Sequence, residues 1–184
     1  MPRMSEAEKQ KSHARILQAA AELFRENGIE STSVAEVMQA AGMTHGGFYR
    51  HFSGKDDLVA AAFRGAVDTV VAGLENATTA AELALAQDDY IALYLSQQHV
   101  ADARNGCPMA ALGSELVRGN AEVTHETGKA VARVTALLQG DGAKENSYVR
   151  LSLLIGAVTL ARLSNDSDTA QDILSAVAHQ IERV

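Results

Sequence analysis

The side chains that could perform chemistry in this chain are few and scattered. Six histidines and a single cysteine occur among 184 residues, and no two histidines stand four residues apart, the spacing that lets one helix bind a metal ion. His99 and Cys107 are the one combination that could form a nucleophilic Cys/His pair. The sequence contains neither a phosphate-binding loop nor a GxSxG nucleophile motif. We therefore predict no enzymatic activity, no cofactor and no metal ion.

Residues 33–52, SVAEVMQAAGMTHGGFYRHF, indicate a different chemistry, the recognition of another molecule. Ser33 and Glu36 have the spacing of a capping box at the start of a helix. Apolar residues at positions 34, 37, 38 and 41 then predict one buried face. Gly42 follows, where a left-handed residue commonly ends a helix. The pattern predicts a short helix and a tight turn.

A second short helix follows this turn. Thr44 can cap it, and Phe48 and Phe52, four residues apart, anchor it to the core. The polar residues off this anchor line, and those near the start of the helix, are available to a partner: Thr44, His45, Gly46, Gly47, Tyr49 and Arg50. A helix in the major groove of DNA contacts bases with residues near its N-terminus. The segment therefore predicts a DNA-binding helix-turn-helix.

Further helices must position this pair. An apolar stripe formed by Ile16, Ala19, Ala20, Leu23 and Phe24 predicts a helix that ends at Asn27-Gly28. Another helix begins near Lys55, and either Ser53 or Gly54 can be its cap. The first ~60 residues thus have the size of one small DNA-binding module.

These segments resemble the DNA-binding domain of the TetR family of bacterial transcriptional regulators. The resemblance covers residues 10–60 and rests on ILQAAAELFRENG, TSVAEVMQAAGMTHGGFYRHF and GKDDL. It implies an all-α fold, with an N-terminal three-helix helix-turn-helix domain (residues 1–54) and a larger C-terminal helical domain (residues 55–184) for effector binding and dimerisation. It also implies phosphate contacts by Ser33 and Lys55. The DNA surface would comprise Thr44, His45, Gly46, Gly47, Tyr49 and His51.

Gly47 departs from the family pattern, which usually has a larger residue before Phe48. Two consecutive glycines, Gly46 and Gly47, weaken a helix intrinsically and remove a side chain that could contact a base. This departure leaves the source of sequence specificity open.

The charge distribution limits the kind of DNA binding. The net charge is −7; residues 1–64 carry equal numbers of acidic and basic side chains, so the excess lies in residues 65–184. Acidic residues repel phosphate, which argues against a general DNA-coating role. The basic residues that could form a local patch are Lys9, Lys11, Arg15, Arg50 and Lys55.

Composition restricts the compartments in which the protein is expected to function. A single cysteine excludes an intrachain disulfide and is typical of a reducing cytoplasm. The N-terminus has no apolar segment of a signal peptide. The longest apolar run, residues 151–161, is shorter than the ~20 residues of a membrane span. We predict a cytoplasmic protein without a membrane partner.

The remaining sequence predicts helices over residues 55–75, 79–99, 122–138, 145–163 and 168–183, and one that begins at Pro108. Residues 151–163 are apolar nearly all round, so this helix must be buried on more than one side. A second copy of the chain can cover one side; burial wholly within one subunit is the alternative. The resemblance implies a four-helix dimer interface, for which we assign Leu153, Gly156, Ala157, Leu160, Ile173 and Val177.

An effector pocket is expected between the helix after Lys55 and the helices that follow it. Such pockets are mostly apolar with a few polar anchors, so the effector should be small and largely apolar. Residues expected to line it are Phe63, Leu93, Tyr94, Cys107, Met109, Leu112 and Leu116. These residues could instead simply fill the core.

Cys107 precedes Pro108, so it falls at a helix N-cap, where the helix dipole stabilises a thiolate. The segment GCPMAAL resembles one in a branch of the family, some members of which sense electrophiles or oxidants through cysteine. A buried cysteine would instead be an inert hydrophobic residue.

The sequence as a whole predicts a homodimeric transcriptional regulator, a repressor that binds a pseudo-palindromic double-stranded operator and is released by a small molecule. The alternative is a helical ligand-binding or electrophile-sensing and redox-sensing protein that acts through Cys107, with weak or lost operator recognition.

Overall fold

The computed structural model describes residues 5–139 and 143–183, which are helical and contain no strand. Nine α-helices and one 3₁₀ helix follow each other in these residues: α1 (Glu6–Asn27), α2 (Val34–Ala40), the 3₁₀ helix (His45–Arg50), α3 (Lys55–Glu75), α4 (Ala80–Tyr94), α5 (Gln97–Ala101), α6 (Pro108–Leu116), α7 (Ala121–Gln139), α8 (Lys144–Ser164) and α9 (Ser167–Ile181). The segment Gly140-Asp141-Gly142, with which the sequence closes the predicted helix over residues 122–138, lies outside the described residues.

The predicted helix ends of the N-terminal unit are confirmed. The Ser33 hydroxyl accepts the Glu36 N–H at 3.2 Å, and the Glu36 carboxylate accepts the Ser33 N–H at 2.7 Å, which completes the capping box of α2. Gly28 and Gly42 follow α1 and α2 with φ of 88° and 68°, backbone angles that favour glycine. Gly54 is the N-cap of α3.

The second helix of the predicted pair differs from the expected form. His45–Arg50 is a 3₁₀ helix, and the side chain of Thr44 makes no capping bond. Two glycines among six residues favour the unfolded chain by about 1 kcal/mol each, so little holds this segment in a regular α-helix. Burial of Phe48 and Phe52, at 1% and 3% exposure, fixes the segment to the core instead.

One apolar cluster runs through both the N-terminal unit and the larger helical part. Ile16 and Phe24 of α1 belong to the same cluster as Leu58 of α3, Leu116 of α6 and Leu154 of α8. Helix α1 packs directly on α3 and α6. The helix-turn-helix is therefore joined to the rest of the protein by packed side chains as well as by the chain itself.

The predicted helix over residues 79–99 is two helices. Helix α4 ends at Tyr94, and α5 begins at Gln97 after a new N-cap, Ser96, whose hydroxyl accepts the His99 N–H at 3.1 Å. A serine followed by helix formers signals such a restart only weakly, because serine also occurs inside helices.

His99 connects this break to the start of α6. Its Nδ1–H donates to the carbonyl of Tyr94 at 2.7 Å, so the ring nitrogen Nε2 is free to accept the N–H of Cys107 at 2.9 Å. The two bonds together require the neutral ring, because Nε2 can accept only while it carries no proton. Burial lowers the pKa of His99, which favours the same neutral form.

Helix α8 is the one described helix long and apolar enough to cross a bilayer. It nevertheless packs against α6, α7 and α9. Its two internal arginines bond to neighbouring backbone: Arg150 donates to the Leu138 carbonyl, and Arg162 donates to the carbonyls of His99 and Val100. These are the contacts of a helix inside a helical protein.

The neutral state of His99 makes stability depend on pH. Because the folded pKa lies below the ordinary value of 6.5, the unfolded chain binds the proton more readily. The free energy of unfolding should therefore be greatest above pH 6.5 and fall as the pH decreases from 6.5 through the lowered pKa.

We expect His99→Phe to lose about 1–3 kcal/mol at pH 7.5, because the buried Cys107 N–H loses its acceptor. The variant should also show a smaller loss between pH 7.5 and 5.5 than the unmodified protein. Urea unfolding at the two pH values measures both effects. His179→Phe, on the exposed side of α9, is the control and should retain the full pH dependence. An identical pH dependence in His99→Phe would contradict the assignment.

Candidate functional site

Four of the residues predicted to contact DNA form one exposed surface on and before the 3₁₀ helix. Thr44, His45, Gly46 and Tyr49 are exposed, and Tyr49 has 72% of its surface accessible. Space around Gly46 is open, so no packing contact explains why this position lacks a side chain. Gly47 is half-buried beside Met38 and adds backbone rather than a side chain to the surface.

The two predicted phosphate contacts, Ser33 and Lys55, lie at neighbouring helix starts. Hydrogen bonds from Ser33 lower the pKa of Glu36, and the charge of Lys55 lowers it further. The Ser33 hydroxyl donates to Glu36 at 2.7 Å. The first turns of the same helices also carry the acidic residues Glu36, Asp56 and Asp57.

His51 does not join this surface. Both of its ring nitrogens are buried without a hydrogen-bond partner among the described residues, and its ring centroid lies 5.7 Å from that of His13. Burial lowers the pKa of His51, and the nearby charges of His13, Lys9 and Arg50 lower it further. His51 instead lines a groove beside the start of α1 with Lys9, His13 and Arg50.

Arg15, predicted as part of a basic patch, has a structural role. Its guanidinium donates to the carbonyl of Ala41, at the turn between the two helices. A Cβ at Gly42 would lie 2.7 Å from the same guanidinium. Arg15 thus braces the turn while the residue itself remains exposed. The sequence did not reveal this role, because the partners are 26 residues apart.

A cavity of about 300 Å³ opens in the C-terminal part, between α3, α4 and the segment that leads into α6. Its lining residues are Thr69, Val70, Tyr90, Leu93, Tyr94, Gln98, His99, Asp102, Asn105, Gly106 and Cys107. Three of these, Leu93, Tyr94 and Cys107, were among the predicted pocket residues.

The other four predicted pocket residues do not line this cavity. Phe63, Met109, Leu112 and Leu116 are at most 6% exposed and belong to the apolar core. Helical periodicity identifies a buried face, but it does not distinguish a face packed on other helices from one that borders a cavity. The lining residues that the sequence analysis missed lie mainly in α5 and the loop after it, Gln98–Gly106.

Two tyrosine hydroxyls in this wall are unsatisfied. The hydroxyl oxygens of Tyr90 and Tyr94 are buried without a hydrogen-bond partner, and the two ring centroids lie 5.6 Å apart. Burial raises the pKa of both phenols, so they remain protonated hydrogen-bond donors at neutral pH. The side chain of Cys107, beside them, is 1% exposed.

The loop that lines the cavity also holds α1. Arg104 pairs with Glu22 at 2.7 Å and with Glu26 at 3.3 Å, and its carbonyl accepts a bond from Arg25 Nε at 2.6 Å. We call these contacts of Arg104 with Glu22, Arg25 and Glu26 the α1 clamp. Because the partners are about 80 residues apart, no local pattern could predict it.

A second polar contact joins α6 to the turn between α1 and α2. The Glu115 carboxylate accepts the N–H of Glu30 at 3.0 Å. A Cβ at Gly28 would lie 3.0 Å from the same carboxylate, so the turn and α6 are in close contact. The segment that runs from the cavity loop through α6 is therefore attached to the helix-turn-helix unit at two points, Arg104 and Glu115.

The predicted dimer residues do not share one environment. Leu160 is 55% exposed, and Leu153, Gly156, Ile173 and Val177 are half-buried. Ala157, which was predicted for the dimer interface, is only 2% exposed because it packs inside the protomer with Leu174 of α9. Leu163, at 73% exposure, extends the apolar face but was not assigned.

Within residues 5–139 and 143–183, no group of three or more His, Cys, Asp or Glu side chains is placed to hold a metal ion.

Comparison with known proteins supports the assignment made from the helix-turn-helix geometry. Residues 16–62 match the family model "Bacterial regulatory proteins, tetR family". An HTH-type transcriptional regulator of Mycobacterium tuberculosis is 30% identical over 169 residues, which cover 83% of this chain and 84% of that protein. The HTH-type transcriptional repressor KstR2 of Rhodococcus jostii is 34% identical over 94 residues, 47% of this chain and 45% of that protein.

A solved structure has the same architecture over nearly the whole chain. The TetR-family transcriptional regulator of Agrobacterium tumefaciens superposes with a TM-score of 0.74 at 25% identity, covering 95% of this chain and 98% of that one. Regulators of this family bind DNA operators and act as dimers; they are not enzymes. The exposed helix-turn-helix, the helical C-terminal part and these similarities together show that the chain belongs to the TetR family of bacterial transcriptional regulators.

Proposed function

We propose that this protein is a cytoplasmic repressor that binds a pseudo-palindromic operator as a homodimer and leaves it when a small molecule enters the cavity. Residues 1–54 would bind DNA, and residues 55–184 would bind the effector and form the dimer. The similarity to the repressor KstR2 supports repression, and the acidic C-terminal part supports specific binding at a few sites.

The observation that carries this proposal is the sharing of one loop between cavity and clamp. Asp102, Asn105 and Gly106 line the cavity, and Arg104 in the same loop holds α1. A ligand that displaces the loop must stretch or break the α1 clamp. Because α1 packs on the helix-turn-helix, its displacement would change the spacing of the two recognition surfaces in a dimer.

The apolar face of α8 supports the dimer. Leu160 and Leu163 lie along this face, and a side chain at Gly156 would meet open space in the protomer. Small residues such as Gly156 let a second helix approach closely. Covering exposed leucines contributes roughly 25 cal/mol per Å² of apolar surface buried, so a face of this kind favours association.

The alternative, a reactive sensor that works through Cys107, has weaker support. A reactive cysteine requires exposure, and this side chain is 1% exposed. It can be reached only through the cavity that it lines. The geometry therefore favours regulation by a non-covalent effector over regulation by a reactive cysteine.

The first test concerns the DNA surface. We expect Tyr49→Ala to weaken binding to DNA from upstream of the protein's own gene about tenfold while the salt dependence is unchanged. Lys55→Ala should reduce the slope of log affinity against log salt concentration by about 1, because one phosphate contact is lost. Fluorescence anisotropy between 50 and 200 mM salt measures both effects.

Lys144→Ala is the matched control, since Lys144 is also the first residue of a long helix but lies in α8. It should leave both affinity and slope unchanged. If Tyr49→Ala and Lys55→Ala both bind the DNA with the affinity and salt dependence of the unmodified protein, the assignment of this surface to DNA is contradicted.

The second test concerns the dimer face. Leu160→Glu should yield a folded monomer at micromolar concentration, because a charge would have to be buried without a partner in the interface. Analytical ultracentrifugation measures the mass, and circular dichroism the helix content. Leu85→Glu changes another exposed leucine, on α4, and should leave the dimer intact. A dimeric Leu160→Glu protein would exclude this face.

The third test concerns the α1 clamp. Arg104→Ala should broaden the distance distribution between the two helix-turn-helix units and weaken operator binding about two- to fivefold, the range expected for a partly exposed ion pair. Pulsed electron paramagnetic resonance with spin labels at Gln39→Cys, in a Cys107→Ala background, measures the distribution. Arg64→Ala breaks an ion pair between α3 and α7 and is the control. Equal distributions in both variants would refute the coupling.

A further inference from the structure

The cavity contains two hydrogen-bond donors that the protein does not use. The hydroxyls of Tyr90 and Tyr94 are buried without an oxygen or nitrogen acceptor among residues 5–139 and 143–183, and Tyr94 has only the Cys107 thiol beside it. Both residues line the cavity. A buried polar group without a partner is costly, and most such groups in proteins are paired. Tyr94 is 4% exposed, so its hydroxyl can be reached only from the cavity side. An acceptor that occupies the cavity would complete the wall.

The charge of the wall disfavours anionic ligands. Asp102 is the one lining residue that carries a charge at neutral pH, since His99 is held neutral by its two hydrogen bonds. Arg162 lies behind the wall and donates to two backbone carbonyls. An anion would meet a carboxylate and no cation in the lining. The tyrosine hydroxyls are donors that an uncharged acceptor can satisfy without meeting this repulsion.

The size and shape of the cavity limit the ligand further. Its volume of about 300 Å³ is roughly twice that of an engineered apolar cavity that binds benzene. Val70, Leu93 and the tyrosine rings supply apolar surface, and aromatic rings pack well against other aromatic rings. A molecule with about two fused rings is the size that this volume accommodates.

We propose that the cavity binds an uncharged aromatic molecule that carries a hydrogen-bond-accepting oxygen, such as an aryl ketone, with Tyr90 and Tyr94 as the donors. This inference rests on the proposed function, in which the cavity is the effector site. The two tyrosines thereby determine the ligand class, and the apolar wall determines its size.

Three matched probes test the proposal by isothermal titration calorimetry on the full chain without DNA: 2-acetylnaphthalene, 2-ethylnaphthalene and 2-naphthoate. They share the ring system. The ketone carries a neutral acceptor, the hydrocarbon carries no acceptor, and the carboxylate carries a negative charge. The ketone should bind about fivefold tighter than the hydrocarbon, the gain expected from one net hydrogen bond. The carboxylate should bind more weakly than the ketone.

The variants Tyr90→Phe and Tyr94→Phe, singly and together, remove only the hydroxyls. The double variant should lose the preference for the ketone and keep its affinity for the hydrocarbon. Its melting temperature should be unchanged or higher, and the single variants retain the test if the double variant does not fold. Tyr148→Phe, a half-exposed tyrosine of α8, is the control and should keep the preference.

Equal affinity for ketone and hydrocarbon, a ketone preference that survives in the double variant, tightest binding of the naphthoate, or no binding of any probe would each overturn the inference. Operator release is measured separately by adding the ketone to the protein–DNA complex. If the ketone binds as expected but the complex persists, the ligand class stands and the proposed release mechanism fails.

Discussion

The packing of α1 against α3 and α6 is the constraint on which the rest of this structure depends. Ile16 and Phe24 place α1 in the same apolar cluster as the core of the C-terminal part. Closely packed interiors shift between discrete arrangements and do not deform continuously. A displacement of α6 or of the loop before it is therefore transmitted to α1. The polar contacts of Arg104 and Glu115 fix the position of α1 and the turn after it relative to α6 and the loop before α6.

The features that the sequence predicts correctly are local in the chain. The Ser33–Glu36 capping box and the glycines after α1 and α2 depend on neighbours within four residues. The start of α6 after Cys107 follows in the same way from the backbone geometry of Pro108. In each case the residue type restricts the backbone directly, so the sequence contains the necessary information.

The features that the sequence could not predict involve distant partners. Arg15 looks like a surface cation until the Ala41 carbonyl is placed beside it, and Ala157 looks like an interface residue until α9 covers it. Leu112 and Leu93 have the same side chain, yet Leu112 fills the core and Leu93 borders the cavity. Periodicity gives the direction of a side chain but not what lies opposite to it.

The partial exposure of the α1 clamp has a consequence for how the protein behaves in different media. The side chains of Arg104 and Glu26 are each 47% exposed and lie 3.3 Å apart, well inside the Debye length of about 8 Å at physiological ionic strength. Physiological salt therefore weakens this pair only in part, whereas phosphate contacts lose affinity steeply as salt rises. If the proposed release mechanism holds, the connection between cavity and DNA-binding surface would be less sensitive to salinity than the binding of DNA itself.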